Sequence, residues 1–523
     1  MFGRVSASVL AATAALLVAC GSASATTFCV PGYHAACPNS GGNVAQPDLQ
    51  AAVETNGGDG VPDTVIVDAF TYVDPQTLEP DGTDPLKIIG AGTDKTVITS
   101  SSNLSVYVMT QGFGERPITL KDLSIVAPAS FPDTGGAGLF LESGKLENVN
   151  IESRNVGLQI AFNVAGETDY TGGKVFASEG GSISTAVQTF GSEPGRLTLD
   201  GVDILGAQLG LYLTDADQPV VFRNGSLLGS ASGASLQSFG GDLKYLNSVV
   251  EAGSSVGFTM NSAVSDVTHL DIVNTTVAAA GHPTAKAITG AVTNAANQDS
   301  IRVNVNSSIF RGFDSTFNLS APNNSSLGDA FISFEYSNFN LLGTRTGDGS
   351  TSIPPSNINQ DPLFSASGDY SLSAGSPSID AGDPLLAEPA NDILGALRPF
   401  DGNGDGEAVR DQGAYEFGST GPAADTTPPK ISKVKYKSAK GRKKGASVSL
   451  TLSEAAKVKL TFKPVGKPKR KTYRLSKQSK AGASVIKVRK SKLKAGKYKL
   501  TVSATDAAGN RSKSVVRKVK VGS

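Results

Sequence analysis

Five stretches of the chain repeat one frame: ITLKDLSI (118–125), LTLDGVDIL (197–205), VVFRNGSLL (220–228), LKYLNSVV (243–250) and LDIVNTTV (270–277). The frame runs apolar, any, apolar, any, then Asp, Gly or Asn, then two mostly small residues and an apolar one. In it Ile118, Leu120 and Asp122 correspond to Leu197, Leu199 and Gly201, to Val220, Phe222 and Asn224, to Leu243, Tyr245 and Asn247, and to Leu270, Ile272 and Asn274. The markers at 201, 224, 247 and 274 are 23, 23 and 27 residues apart, which means stacked units. Alternation with period two buries one face of a short strand, and a turn former straight after it bends the chain through a corner. A coil of that length cannot bury its apolar side chains alone, so successive coils must stack into a parallel β-helix. Stacked Asn224, Asn247 and Asn274 suit an internal amide ladder, so the sequons NGS and NTT read as ladder positions. IRVNVNSSIF (301–310) breaks the frame, with Val305 at the expected marker and Asn306 one residue late.

The formal charge is zero, yet 30 of the 47 Lys and Arg and only 3 of the 47 Asp and Glu fall from Asp425 onward. Such a shift marks two separately folded units and an acidic body with a basic terminus. Within 523 residues, 59 Gly fit many turns and short strands. Trp is absent, which lowers the expectation of a sugar-processing cleft.

The first 25 residues read as an export signal: Arg4, an apolar stretch from Val9 to Val18, and Ala23-Ser24-Ala25 as cleavage site. LVAC (17–20) reads equally as a lipobox, with Cys20 carrying lipid. Either way the mature protein leaves the cytoplasm, secreted or held at the cell surface, and no other apolar run is long enough to cross a bilayer. Cys29 and Cys37 remain as an even pair, expected as a disulfide staple.

At its start the chain has a capping helix around LQAAV (49–53), then DTVIVDAFTY (63–72) and PLKIIGAGTDKTVI (85–98). With the coils, these make residues 44–417 resemble right-handed parallel β-helix proteins of the pectin-lyase-like kind. DPLF (361–364), DYSLSAGSPSIDAG (369–382), DILGALRP (392–399) and DQGAYEF (411–417) resemble the closing segment of bacterial choice-of-anchor Q proteins. That resemblance implies an exported β-helix whose relatives carry different C-terminal attachments; it names no substrate.

The expected organisation is all-β: signal 1–25, β-helix 26–420, linker 421–429 with DTTPP (425–429), and a basic module 430–523. In the last, Val448, Leu450 and Leu452, then Val458, Leu460 and Phe462, then Tyr498, Leu500, Val502 and Ala504 alternate with polar residues. The pattern suggests a small β-sandwich and resembles bacterial Ig-like repeats; it lacks the Cys and Trp of antibody-type domains.

DGNGDGE (401–407) reproduces the first half of a calcium loop, with Asp401, Asn403 and Asp405 at alternate positions before Gly406. Position twelve is Gln412, and Asp411 takes the closing role if the loop is one residue shorter; the rival reading is a plain turn. Asp215 and Asp217 stand as the only compact carboxylate pair in the coils, within LTDADQP, more simply a turn. His269 and Asp271 share an outer strand face where Lys244 or Arg302 can join them as a polar platform. His282 has no evident partner. Lysines such as Lys457, Lys459, Lys497 and Lys499 suit anionic cell-wall or extracellular polysaccharide, bound as point charges. Few aromatics interrupt them, which argues against sequence-specific nucleic-acid binding.

The expected function is non-catalytic glycan binding or adhesion, with the basic module attaching to anionic surface polymers. The alternative is a polysaccharide lyase or glycoside hydrolase on the same fold. Outward carboxylates stacked across three coils favour the enzyme, and a merely polar groove favours binding.

Overall fold

The computed structural model describes residues 25–419 and 428–522, apart from 56–60, 75–84, 101–105, 108–117, 128–136, 179–183, 215–217, 263–266, 282–283, 294–298, 324–327, 439–445, 467–470, 489–492, 506–510 and the single positions 164, 207, 238, 280, 341 and 367. The expected signal, Cys20 and most of the linker lie outside these residues. The chain forms two compact units, Met1–Ser419 and Thr420–Ser523.

The first unit is a parallel β-helix built from three ladders. The first ladder begins with Thr27–Val30 against Asp63–Val67 and Leu86–Ile89. It continues through Ile118–Val126, Gly144–Ser153, Gly166–Ala177, Gly195–Asp200, Val220–Arg223, Asp242–Leu246 and Val267–Val273 to Gly349–Ser352. After a corner, a second ladder joins Asp203–Leu205, Ser226–Gln237, Val249–Ser262, Thr276–Ala279 and Ile309–Arg311. The third runs from Ala137–Leu141 through Val156–Ala161, Thr185–Phe190 and Leu209–Thr214 to Gly343–Thr346.

The marker residues make the first corner with a single left-handed backbone conformation. The φ angle is 54° at Asn224 and Asn247, 45° at Asn274 and 65° at Gly201. Asn and Gly tolerate that region where β-branched residues do not. Between these corners Leu199, Phe222, Tyr245 and Ile272 stand on successive rungs, all fully buried. The rings of Phe222 and Tyr245 lie 5.5 Å apart. Leu146 and Tyr170 extend the column back toward Leu120, on two coils that the repeat frame missed.

The break at 301–310 resolves differently from its sequence reading. Val305 pairs with Ile272 and Asn306 with Val273, so both are strand residues, and the corner falls on Ser307 with φ 51°. The amide ladder is partial: Asn247 Nδ2 donates to Asn224 Oδ1 at 2.8 Å, and Asn224 Nδ2 to Asp200 Oδ1 at 2.7 Å. Asn274 turns to the closing segment instead, its Nδ2 donating to the Asp411 carbonyl and its Oδ1 accepting from Arg410.

The first coil is capped by helix Leu49–Glu54, which buries Leu49, Ala52 and Val53 and is N-capped by Asp48. Cys29 and Cys37 form a disulfide. At the other end the closing segment folds along the corner and second ladder of the last coils. Asn338 Nδ2 donates to Ser378 Oγ, the Gly413 N–H to the Ser307 carbonyl, and Tyr370 OH to Glu251, while Ile309 packs with Leu372 and Ile379.

The second unit has two antiparallel sheets around one core. One orders Ile431–Lys437, Ala446–Leu452 and Gly482–Val488; the other orders Tyr473–Ser479, Ala456–Pro464, Gly496–Thr505 and Val515–Val521. Val448, Leu450 and Ile486 from the first meet Val458, Leu460, Phe462, Leu500 and Val502 from the second, a small sandwich. Among the described residues no helix is long and apolar enough to cross a membrane.

Candidate functional site

Strand alternation sends every second side chain of the first ladder outward, and the stacked coils turn those side chains into columns. Lys145, Asp169, Thr198 and Val221 form one column; Glu147, Thr171, Asp200 and Arg223 form the next. With Arg196 they line a cavity of about 500 Å³.

Each carboxylate here has a cation beside it. Lys121 Nζ lies 2.5 Å from Glu147 Oε2, and Arg223 Nη2 lies 2.8 Å from Asp200. Arg196 Nη2 reaches Glu167 at 3.0 Å and Asp169 at 3.4 Å. The hydrogen bond from Lys121 holds the Glu147 carboxyl below its ordinary range, and the same bond raises Lys121. Three carboxylates, Glu147, Asp169 and Asp200, therefore do stand outward on three successive coils. Hydrolysis of a glycoside needs one such group kept protonated near neutral pH, and Lys121 holds Glu147 in the opposite, ionised form. What the face offers is a strip of paired donors and acceptors.

The strip continues over the platform expected from the sequence. Lys244 Nζ is 3.4 Å from Asp271, and His269 Nδ1 is 3.1 Å from Asp242. His269 stands beside Arg302 in register, and the Arg302 guanidinium lies 4.5 Å over the Phe331 ring. Asp215, Asp217 and His282 lie outside the described residues. The pair Glu167 and Asp169 corrects the reading of Asp215 and Asp217 as the only compact carboxylates. Its signal was present, an acid on either side of the inward Thr168.

The loop 401–407 is closed by its own side-chain oxygens: Asp401 accepts from the Gly404 and Gly406 N–H groups, the Asn403 amide oxygen from the Asp405 N–H, and Asp405 from the Glu407 N–H. An oxygen that accepts one such bond keeps a lone pair, so these three side chains still fit an ion. Asp411 is differently employed. It is buried, one oxygen accepting from the Asp380 N–H at 2.7 Å and the other from Phe417 at 2.5 Å. Among the described residues no three His, Cys, Asp or Glu side chains converge as an ion site.

Asp411 belongs to a buried ionic knot that accounts for DILGALRP and DQGAYEF. Arg398 Nε lies 3.2 Å from Glu416 Oε2, both side chains fully enclosed, and Asp392 accepts from the Leu394, Ala396 and Glu416 N–H groups. Burial and the Glu416 charge push Asp411 up to about 8; burial also raises Glu416 and brings Arg398 down to about 10. These motif residues hold the closing segment together.

Lys457, Lys459, Lys497 and Lys499 all lie exposed on the outer face of the four-stranded sheet, the first pair beside Thr505 and Ser503, the second beside Lys520 and Lys518.

No protein-family model matches the chain, and no curated protein matches it. Among solved structures it is similar to the catalytic unit of the GH87 alpha-1,3-glucanase of Streptomyces thermodiastaticus strain HF3-3, at 13% identity over 60% of this chain and 64% of that one, with a TM-score of 0.33. It is also similar to the tailspike of Acinetobacter phage vB_ApiP_P1, at 9% identity over 88% and 74% with a TM-score of 0.34. Tailspike protein 2 of Escherichia coli O157:H7 bacteriophage CAB120 is a third, at 11% over 91% and 66% with a TM-score of 0.35. The chain spans less than two thirds of the length of the glucanase unit and of tailspike protein 2. The assignment as a parallel β-helix rests on the chain's own three ladders.

Proposed function

We propose that this is an exported glycan-binding β-helix of the choice-of-anchor Q type, carrying an Ig-like module that attaches to anionic surface polymers. The outward face of the first ladder holds the saccharide. The observation that carries the reading is the pairing of Glu147, Glu167, Asp169 and Asp200 with lysine or arginine, which lines the face with hydrogen-bond donors and acceptors and holds Glu147 in its ionised form. The test is retention on immobilised polysaccharides, with Arg196→Ala and Arg223→Ala expected to weaken it at least several-fold while melting stays unchanged. Retention indifferent to both changes removes the face from the reading.

A glycoside hydrolase or lyase is the second reading, favoured by the same carboxylates on three coils. It requires release of reducing or unsaturated sugar ends that Asp169→Asn abolishes; binding without release sets it aside. Calcium in the loop 401–407 completes the proposal, held by Asp401, Asn403 and Asp405. Chelator is expected to lower the melting temperature of the β-helix, and Asp405→Ala to remove that sensitivity. Identical curves with and without chelator reduce the loop to a turn.

A further inference from the structure

We propose that the outer face of the four-stranded sheet binds a single linear phosphate-bearing polymer through two cation clusters at opposite ends of the face. The inference rests on the reading of the basic module as a polyanion binder, and it specifies the surface and the anion.

One cluster is a row across three strands. Lys463 pairs directly with Lys499, and Lys499 with Lys518, while Lys497 faces Lys520 on the next outward row. All five are exposed. Like charges directly opposite in a sheet are destabilising, and the four strands contain no Asp or Glu to relieve them. The other sheet of the same sandwich is arranged differently: Ser447 separates Lys437 from Lys487, and Lys435 faces Ser449. Solubility alone does not call for stacked lysines on one sheet and spaced lysines on the other. A bound polyanion does, because it supplies the missing counter-charge.

The second cluster lies at the other end of the same strands. Lys457 and Lys459, with Arg511, line a cavity of about 510 Å³ together with the hydroxyls of Ser476, Ser503 and Ser514. Point charges among hydroxyl donors that approach from several directions suit tetrahedral phosphate oxygens better than a planar carboxylate. Between the clusters runs a row of Arg474, Thr461, Thr501 and Val516, in which the only charge is one guanidinium on the edge strand. Four residues separate Lys459 from Lys463, roughly 13 Å at the rise of a strand. No single phosphate spans that interval, whereas a chain of them engages both ends and gains by effective concentration. No aromatic side chain stands at the outward positions of these strands, so bases have nothing to stack on.

The experiment uses the full chain, with long-chain inorganic polyphosphate and tripolyphosphate as probes. The long chain is expected to bind on the order of 100-fold more tightly, with an affinity that falls linearly in the logarithm of salt concentration. Lys463→Ser with Lys499→Ser and Lys518→Ser should reduce that slope, as should Lys457→Ser with Lys459→Ser. Lys435→Ser with Lys437→Ser and Lys487→Ser should not. Without polymer, Lys499→Ser should raise the melting temperature of the module, the opposite sign to its effect on binding. Equal loss from the three lysines of the other sheet, or tripolyphosphate binding as tightly as the long chain, overturns the two-cluster face. Alginate binding as well as polyphosphate overturns the phosphate assignment. Failure of every anionic polymer to bind overturns the underlying reading of the module as well.

Discussion

Tyr245 shows how far one inward position is determined by its neighbours. Its ring packs 5.5 Å from Phe222 and 4.8 Å from Phe258, and its hydroxyl is buried with no hydrogen-bond partner among the described residues. Burial accordingly raises its pKa far above the ordinary phenol range. Removing an unpaired buried hydroxyl while keeping the ring should help, so Tyr245→Phe is expected to stabilise the β-helix by about 1 kcal/mol in denaturant unfolding. Phe222→Asp one rung away should do the reverse and abolish cooperative unfolding of the region, because it places an unpaired charge in a packed interior. A soluble Phe222→Asp variant that melts normally contradicts the register. Position 222 was legible in the sequence because Phe222 precedes a corner asparagine by two residues. Corners such as Ser307 and Tyr336, at φ 51° and 47°, adopt the same backbone without the residue type that announces it.

At the scale of an element, the closing segment is the part whose stability depends on protons. Asp392, Asp411 and Glu416 converge near Arg398, and burial, with the Glu416 charge beside it, keeps a proton on Asp411 to about pH 8. Its ordinary value is 3.8, so the folded segment binds more protons than the unfolded one between those limits. Stability from this group is complete below the unfolded value and is lost as pH rises through the folded one. The β-helix should therefore melt at lower temperature at pH 9 than at pH 5, and Asp411→Asn should flatten the difference. An unchanged slope in that variant assigns the dependence to other groups. The motif residues were visible in the sequence as a resemblance, but their role was not, since Asp392 and Glu416 are 24 residues apart. The outward strip was hidden for a related reason. Rung partners such as Lys145 and Asp169, or Asp169 and Thr198, are separated by coils of unequal length, so columns emerge only once the register is known.

For the whole molecule, the 30 Lys and Arg from Asp425 onward all fall in the second unit, Thr420–Ser523. A unit that carries most of the chain's cations and almost none of its acids is strained by self-repulsion, and salt relieves it. Raising ionic strength from about 10 mM to about 500 mM shortens the screening length several-fold. The melting transition of the basic module should move upward, while that of the β-helix, with its ion-paired face, should move little. Calorimetry at the two salt levels checks this; a joint transition with a common shift contradicts it.

The contact between Asn274 and Arg410 has a consequence for the order in which the chain acquires structure. The side-chain contacts at the corners of Asn224 and Asn247 close over 24 and 23 residues, so the β-helix can grow coil by coil as it is synthesised. At Asn274 the partner is 136 residues downstream, and Thr276 likewise awaits Ala414 at 138. Closing so long a loop is entropically costly and slow. The last coils therefore remain incompletely satisfied until the closing segment arrives, and a nascent chain stopped before residue 410 leaves the Asn274 amide and the Thr276 hydroxyl without these partners.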